Sequence, residues 1–505
     1  MVTATGDAAG RRLLVYGLGR SGGAVLRRAL ANGDEVSFYD RRETGADIDA
    51  ALAAGARRLT SLGEAPLATG FETCVAAPGV AIDHPDLEQL RAARVEVIGE
   101  VEWVWRDVSG SYIGVTGTAG KGSVTLWLTQ LLVGAGVDAV AGGNNDPALA
   151  AVARPGACHV VELSSFQLER CPTFSPDVAI TLNLGEDHLD RHHTVAAYHR
   201  AKRNLVDNLT AEGTLVTNAD TPRLEQWAAR TAARVLRFSL EGPADAWLDR
   251  ASGMLMLNGD ELLHRDELAV PGDHQVANAL AVALAATALN VERDGPKRPG
   301  LERIDRSTIA EQLPLFTGLP GRYAVAGRSG GITFIEDSIA TRPLAVAAAL
   351  TSTARPLVWL AGGHSKGADV GSLRGVVAEK VDLLVTYGAS GPELAEAFGD
   401  LVPVIQSRQR DGAAALAAAV QAAVAHLESA HGGSGSVLLA PLAASFDQFK
   451  DYADRARTFR RVVAEVIERR HGNDSAPRPE GAAASAGSAG SAADRGNGRP
   501  ATDRR

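Results

Sequence analysis

The stretch YIGVTGTAGKGSVT, residues 112–125, limits the fold of this chain more than any other segment. An apolar strand-like run from Tyr112 to Val115 ends in a glycine-rich turn, which leads to Lys121 and the helix-like SVTLWLTQLL. A strand, a tight glycine turn and a helix start bearing a lysine form a phosphate grip, because backbone N–H groups and one cation converge there. That design belongs to α/β folds with parallel sheets. One position departs from the usual pattern. Gly122 stands where a Ser or Thr normally follows the lysine, and the first hydroxyl comes at Ser123.

A second glycine turn lies about a hundred residues earlier. GLGRSG (Gly17, Gly19, Gly22) separates the strand-like RLLVY from a helix stopped at Asn32-Gly33, and Asp40 closes the next strand, EVSFYD. This is the dinucleotide fingerprint, in which glycines admit a pyrophosphate and the acid takes ribose hydroxyls. Read alone it leaves three choices open: a nicotinamide dehydrogenase, a different nucleotide, or glycines that only make a tight turn.

At 505 residues, about three domains are expected. The alternation of short apolar runs with amphipathic stretches divides the chain into a Rossmann-like parallel-sheet domain (1–107), a central P-loop ATPase-type α/β domain (108–316) and a Rossmann-like C-terminal α/β domain (317–471). Strand-helix alternation is expected through about residue 285, with NVERDGPKRPG (290–300) as a surface loop. Strands recur at GITFIED, PLVWLAGG, LLVTYG and SVLLAPL, and FKDYADRARTFRRVVAEVIERR reads as a long charged helix. Residues 472–505 are Ala/Ser/Gly/Pro-rich and read as a disordered tail.

Composition narrows the partners. With 51 basic and 60 acidic residues the formal charge is −9, which disfavours nucleic acid. Mean hydropathy is −0.03. No apolar run is read as reaching the ~20 residues of a membrane span, and MVTATGDAAGRR lacks the apolar stretch of a signal peptide. Cys74, Cys158 and Cys171 lack metal-ligand spacing and suit a reducing compartment. The expectation is a cytoplasmic, monomeric protein acting on small anionic ligands, without membrane insertion.

Other chemistry-bearing residues gather around the phosphate grip. Glu162 ends the strand HVVE, where a carboxylate could approach a magnesium ion or remain a half-exposed strand end. Asp187, His188, Asp190 and Arg191 crowd EDHLDR just past another strand, as a ligand cluster or a solvated loop. Lys202 follows in YHRAK and would alone be an ordinary helix-surface lysine.

In this order, the Gly-rich loop, ELSSFQLE, EDHLDR, YHRAK and PGDHQVANALAV (271–282) resemble the central domain of the Mur ligases. GLGRSG, APGV, LPGR, EDSIAT, GGHSKGAD and SFDQFKDY extend the resemblance over about residues 11–468 and point to the branch that couples D-glutamate to UDP-N-acetylmuramoyl-L-alanine. The resemblance implies ATP and Mg²⁺, with a two-step amide ligation through an acyl phosphate. It places Gly117, Thr118, Ala119, Gly120, Lys121, Gly122 and Ser123 on the ATP phosphates, Asn278 at the adenine, and Arg322 and Asp337 on the nucleotide from the third domain. Ser123, Glu162, His188 and a carbamylated Lys202 become metal contacts, and Lys121, His188, Lys202 and Lys366 the catalytic set. Gly19, Arg20, Ser21, Asp40, Arg42, Pro78, Gly79, Asn144, Ser164 and Gln167 would hold the UDP substrate. Thr341, Lys366, Ser445, Phe446 and Tyr452 would enclose D-glutamate.

Three departures stand out against the family. Gly122 replaces the usual hydroxyl residue, with Ser123 or Thr118 as substitutes; Ile339 stands where a lysine is common, with Arg342 nearby; Gln275 replaces a common Asn. Two rivals are kept. The GKGS loop also marks folylpolyglutamate synthetase, although about 110 residues precede the loop here. A non-catalytic nucleotide-binding regulator, degenerate at Gly122 and Ile339, is the other.

Overall fold

Three sheets follow one another along the chain, and each points the carboxyl ends of its parallel strands toward candidate site residues. The computed structural model describes residues 11–60, 70–144, 147–289, 304–319, 321–364 and 370–474. The expected 290–300 loop, Lys366 and the tail beyond residue 474 lie outside the described residues.

The first sheet has five strands: β1 Arg12–Tyr16, β2 Glu35–Tyr39, β3 Arg57–Arg58, β4 Thr73–Ala76 and β5 Glu96–Ile98. They run in the order β3-β2-β1-β4-β5, all parallel. The order reverses between β1 and β4, which is where an open α/β sheet leaves a ligand crevice. Gly17–Gly19 and Pro78-Gly79 follow those two strands. A Cβ on Gly22 would lie 1.9 Å from the Gly17 carbonyl oxygen, so glycine lets helix Arg20–Ala31 close onto β1.

The middle sheet has nine strands. Its parallel part comprises β6 Ser111–Thr116, β7 Ala139–Gly143, β8 Cys158–Glu162, β9 Val178–Thr181, β10 Thr214–Asn218, β11 Arg234–Ser239 and β12 Ala246–Asp249. β13 Met254–Leu257 and β14 Asp260–His264 complete it, in the order β14-β13-β12-β11-β10-β9-β6-β8-β7. Every residue of β6 is buried, as a central parallel strand requires. The expected strand-helix alternation through residue 285 fails here: β12, β13 and β14 pair antiparallel. Asn258 and Gly259, both at positive φ, make the turn between β13 and β14. Helix Asp273–Leu289 is buried on nearly all sides, which its Ala/Leu/Val composition permits, and it packs on helix Lys121–Gly134 and strands β9 to β13.

The third sheet contains β15 Ala324–Ser329, β16 Gly331–Glu336, β17 Leu357–Gly362, β18 Leu383–Tyr387, β19 Val404–Gln406 and β20 Ser434–Leu439, in the order β15-β16-β20-β17-β18-β19. Among its described strands, only the β15–β16 pair is antiparallel. Helix Gly412–His431 corrects one sequence expectation, being long and apolar enough by composition to cross a membrane. Here it packs on the sheet instead, burying Leu416, Ala419, Val420, Ala423 and Leu427 at helical spacing against β18 and β20. The final helix, Tyr452–Asp474, extends slightly past the expected boundary at 471.

Candidate active site

The phosphate-grip turn takes its shape from Gly120, whose φ of +83° is a left-handed value that suits glycine. A Cβ there would also lie 2.8 Å from the Asn278 side-chain oxygen, so the buried Asn278 sits directly against the turn. Lys121 opens helix Lys121–Gly134 and folds back to donate to the carbonyls of Gly117 (3.0 Å) and Thr118 (3.1 Å). Lys202, on helix Val195–Asp207, is only 1% exposed and donates to the same Gly117 carbonyl at 2.7 Å. The sequence alone made it a surface lysine; the helix turns it inward. Burial lowers the Lys121 ammonium, with Glu162 partly opposing. Burial, reinforced by Lys121, pushes Lys202 well below the ordinary lysine value.

Glu162 ends β8 with 2% exposure. One carboxylate oxygen accepts from Asn144 Nδ2 at 3.0 Å, while the other is buried without a hydrogen-bond partner among the described residues. An unsatisfied buried carboxylate oxygen is costly unless a cation or donor completes it. His188 sits at φ +53°, a strained conformation for a side-chain-bearing residue, and its ring packs 4.7 Å from that of Phe166. Its Nε2 is 3.4 Å from Asp187 Oδ2. Arg342, at the start of helix Pro343–Ser352 in the third domain, reaches Asp187 Oδ1 at 3.1 Å.

The two candidate replacement hydroxyls differ. Thr118 Oγ1 accepts from Gly185 N (2.9 Å) and faces Tyr198 OH (3.2 Å), whereas Ser123 lies buried in the first turn of the loop helix.

Several residues that shape the turn were absent from the sequence-derived set. Asn183, just past β9, accepts from Thr118 N and Ala119 N through Oδ1 and returns Nδ2 to the Ala119 carbonyl. Tyr198 lies under Lys202, with Nζ 4.8 Å from the ring centre. Asn183 was detectable as a polar residue closing a buried strand; Tyr198 gave no such signal.

The remaining expected residues fall into two groups. At the first-sheet crevice, Asp40 accepts from Leu18 N at 2.7 Å and from Arg42. Burial raises this carboxyl, but the hydrogen bonds from Arg42 and Leu18 outweigh it and hold it at about 2. Arg20 and Gly19 are exposed beside it, with Ser21 half-buried. The Gly79 and Val80 carbonyls following Pro78 face Arg191 from the middle domain at 3.5 and 2.7 Å. Ser164 and Gln167 cap helix Ser165–Leu168 reciprocally.

In the third domain, Arg322 and Asp337 flank the junction. Burial, with Glu336 adding to it, raises the Asp337 carboxyl to about 7. Ser445 is buried, while Phe446 (72%) and Tyr452 (47%) stand exposed and Thr341 is half-buried. The fully buried Arg455 donates to the carbonyls of Ser338 and Ala443, fixing the turns that carry Asp337 and Ser445.

Three family models match in succession: "Mur ligase MurD-like, N-terminal domain" over residues 11–99, "Mur ligase middle domain" over 115–286 and "Mur ligase, glutamate ligase domain" over 321–441. The chain belongs to the Mur ligase family. Among its relatives, a UDP-N-acetylmuramoylalanine–D-glutamate ligase of Thermus thermophilus is 42% identical over 89% of this chain and 96% of its own length. The enzyme of the same name from Deinococcus radiodurans is 38% identical over 92% of this chain and 94% of its own length. The crystal structure of the UDP-N-acetylmuramate–alanine ligase from Thermotoga maritima covers 90% of this chain and 99% of its own at a TM-score of 0.52 and 19% identity, a likeness of fold. A Mur ligase N-terminal domain around GLGRSG removes the dehydrogenase reading of that loop.

Proposed function

We propose that this Mur ligase joins D-glutamate to UDP-N-acetylmuramoyl-L-alanine with ATP, a cytoplasmic step in making the peptidoglycan precursor. The observation that carries the reading is the convergence of the half-buried Lys121 and the fully buried Lys202 on the Gly117 carbonyl, with Arg342 arriving from the third domain at Asp187. Such an array of cations suits polyphosphate and the charge that develops as a phosphoryl group moves.

The substrate carboxylate attacks the γ-phosphorus of ATP, the bond to ADP breaks, and an acyl phosphate forms. The D-glutamate amine, having lost a proton, attacks the acyl carbon; the C–O bond then breaks and phosphate leaves. Lys121 and the loop N–H groups hold the phosphates, Asn278 flanks the adenine, and Arg322 with Asp337 closes on the nucleotide. Arg20, Ser21, Asp40, Arg42, Asn144 and the Pro78-Gly79 turn hold the UDP substrate, with Ser164 and Gln167 shaping the adjoining loop. Thr341, Ser445, Phe446 and Tyr452 receive D-glutamate together with Lys366, which lies outside the described residues.

Magnesium fits these residues. Glu162 offers the unsatisfied oxygen, and among the described residues no group of three or more His, Cys, Asp or Glu side chains forms a closed cation site. The remaining contacts would come from nucleotide oxygens, His188, Ser123 and a carbamate on Lys202. Bound there, the cation screens the negative charge of the phosphates. Ser123 is preferred over Thr118 because Gly185 and Tyr198 already occupy both acceptor lone pairs of the Thr118 hydroxyl. The lowered Lys202 favours the neutral amine, the form that adds CO₂. ¹³C-bicarbonate is expected to give a carbamate resonance that Lys202→Arg abolishes; identical spectra would remove the modification from the scheme.

The deciding experiment incubates the purified chain with ATP, Mg²⁺, the UDP substrate and either glutamate enantiomer, and weighs the product. Mass gain with D-glutamate alone is expected. Equal use of L-glutamate, or addition to a folate in its place, overturns the assignment.

A further inference from the structure

The third domain contains a cleft of about 630 Å³ that the ligase scheme does not use. It lies at the carboxyl ends of β18 and β19, the edge where parallel sheets bind ligands. Its walls include Thr386, Ser407, Arg408 and Arg410, with the start of helix Gly391–Phe398 above them.

The cleft is built rather than incidental. Gln448 donates Nε2 to the carbonyls of Gln409 (3.0 Å) and Arg410 (3.1 Å), and Ser407 N donates to the Thr386 carbonyl at 2.8 Å, so the arginine-bearing loop is braced on both sides. Thr386 is fully buried, yet its hydroxyl has no hydrogen-bond partner among the described residues; the Ser407 hydroxyl is likewise buried and unpartnered. The Thr386 hydroxyl lies 3.5 Å from the point where a Cβ on Gly391 would stand, directly under the helix start. Arg408 and Arg410 are exposed and form no ion pair among the described residues. The acid in the wall, Asp447, turns Oδ2 onto Ala389 N at 2.9 Å. Two guanidinium groups with no ion pair among the described residues, two donor-capable hydroxyls and a helix N-terminus make a setting for a small oxyanion.

We propose that this cleft is a second ligand site, separate from the D-glutamate residues, that takes the carboxylate or phosphate group of a small metabolite. Arg408 and Arg410 supply the charge; Thr386 and Ser407 supply directed hydrogen bonds.

The test titrates inorganic phosphate and succinate separately into the full-length Lys121→Ala chain by calorimetry, a background that weakens phosphate binding at the nucleotide loop. One salt-sensitive binding event per chain is expected for at least one probe. Preference for succinate marks a carboxylate metabolite, and preference for phosphate marks a phosphate ester. Adding Arg408→Gln and Arg410→Gln, both exposed, should weaken binding at least about tenfold without moving Tm. Thr386→Val should weaken it severalfold, and in the otherwise unaltered chain the paired arginine changes should leave the KM for D-glutamate unchanged. The proposal is overturned if neither anion binds, if the arginine variant binds equally well, or if D-glutamate displaces the probe. Because the readout is binding, it stands apart from whether the ligase assignment holds.

Discussion

The two junctions of the middle domain are built in opposite ways. Toward the first domain, one apolar core runs across the boundary, joining Leu13, Val101 and Trp103 to Leu149, Leu168 and Phe174. Polar ties reinforce it. Arg28 donates to the Ala150 and Ala153 carbonyls, Arg170 and Arg191 converge on the Val80 carbonyl, and Glu102 accepts from Thr173 N and Phe174 N. Toward the third domain, the apolar clusters of the described residues stop on either side: one ends at Leu319 and the next begins at Tyr323. Exposed or small contacts cross there, including Arg342–Asp187, Ser352–His274 and the 5.1 Å approach of the His274 and Tyr323 rings. The fixed junction holds the first-sheet crevice at a set distance from the phosphate-grip turn, as the proposed transfer between two bound substrates would require. The light junction is the one that could open on the proposed reading, in which the third domain closes over bound nucleotide and D-glutamate.

The largest expected effect comes from breaking the fixed junction. Glu102 is fully buried and satisfies two backbone N–H groups of the middle domain while pairing with Arg106. Glu102→Ala leaves those donors unsatisfied and should cost about 3–5 kcal/mol in urea unfolding, with both domains lost together. A loss below about 1 kcal/mol would mean that the shared apolar core alone joins them.

That contrast was only half legible in the sequence. The loop elements announced themselves because a strand, glycines and a helix lie within twenty residues of one another, as at Gly17–Gly22 and Gly117–Lys121. The antiparallel β13–β14 hairpin also carried a local signal, Asn258-Gly259, masked by the surrounding α/β rhythm. Junction chemistry had no local signature. Asp187 and Arg342 are 155 residues apart, and Glu102 meets Phe174 across 72. Lys202 shows the same limit: helical spacing allows either face outward, and only packing beneath Gly117 buries it.

A middling effect should appear at Asp337, a charge buried beside the light junction. Burial first, then Glu336, raises its carboxyl from 3.8 to about 7. Between those values the native chain holds a proton that the unfolded chain has lost, so stability falls as pH rises through the window. Asp337→Asn removes that slope. The variant should be the more stable at pH 8, by at most about 4 kcal/mol at ~1.36 kcal/mol per pH unit, with the advantage vanishing toward pH 4. Parallel unfolding profiles for the two chains would show that the third domain solvates this carboxylate in solution.

The smallest stability change, and the sharpest probe of the comparison, belongs to Arg342. Its side chain is 71% exposed, so its pair with Asp187 should contribute under about 1 kcal/mol. Its position gives it weight beyond that energy. Asp187 also acts on Lys121 and Lys202, raising both against burial, so the guanidinium competes with the two lysines for one carboxylate. Arg342→Ala should leave unfolding almost unchanged, increase the radius of gyration of the ligand-free chain in X-ray scattering, and lower kcat more than it alters the KM for ATP. Arg342→Lys should recover part of each. Salt at about 0.5 M should mimic the alanine variant in the native chain, since exposed pairs are screened at that strength. If scattering and kcat both remain at native values, the third domain is held by something other than this pair, and the asymmetry between the two junctions would need a different physical basis.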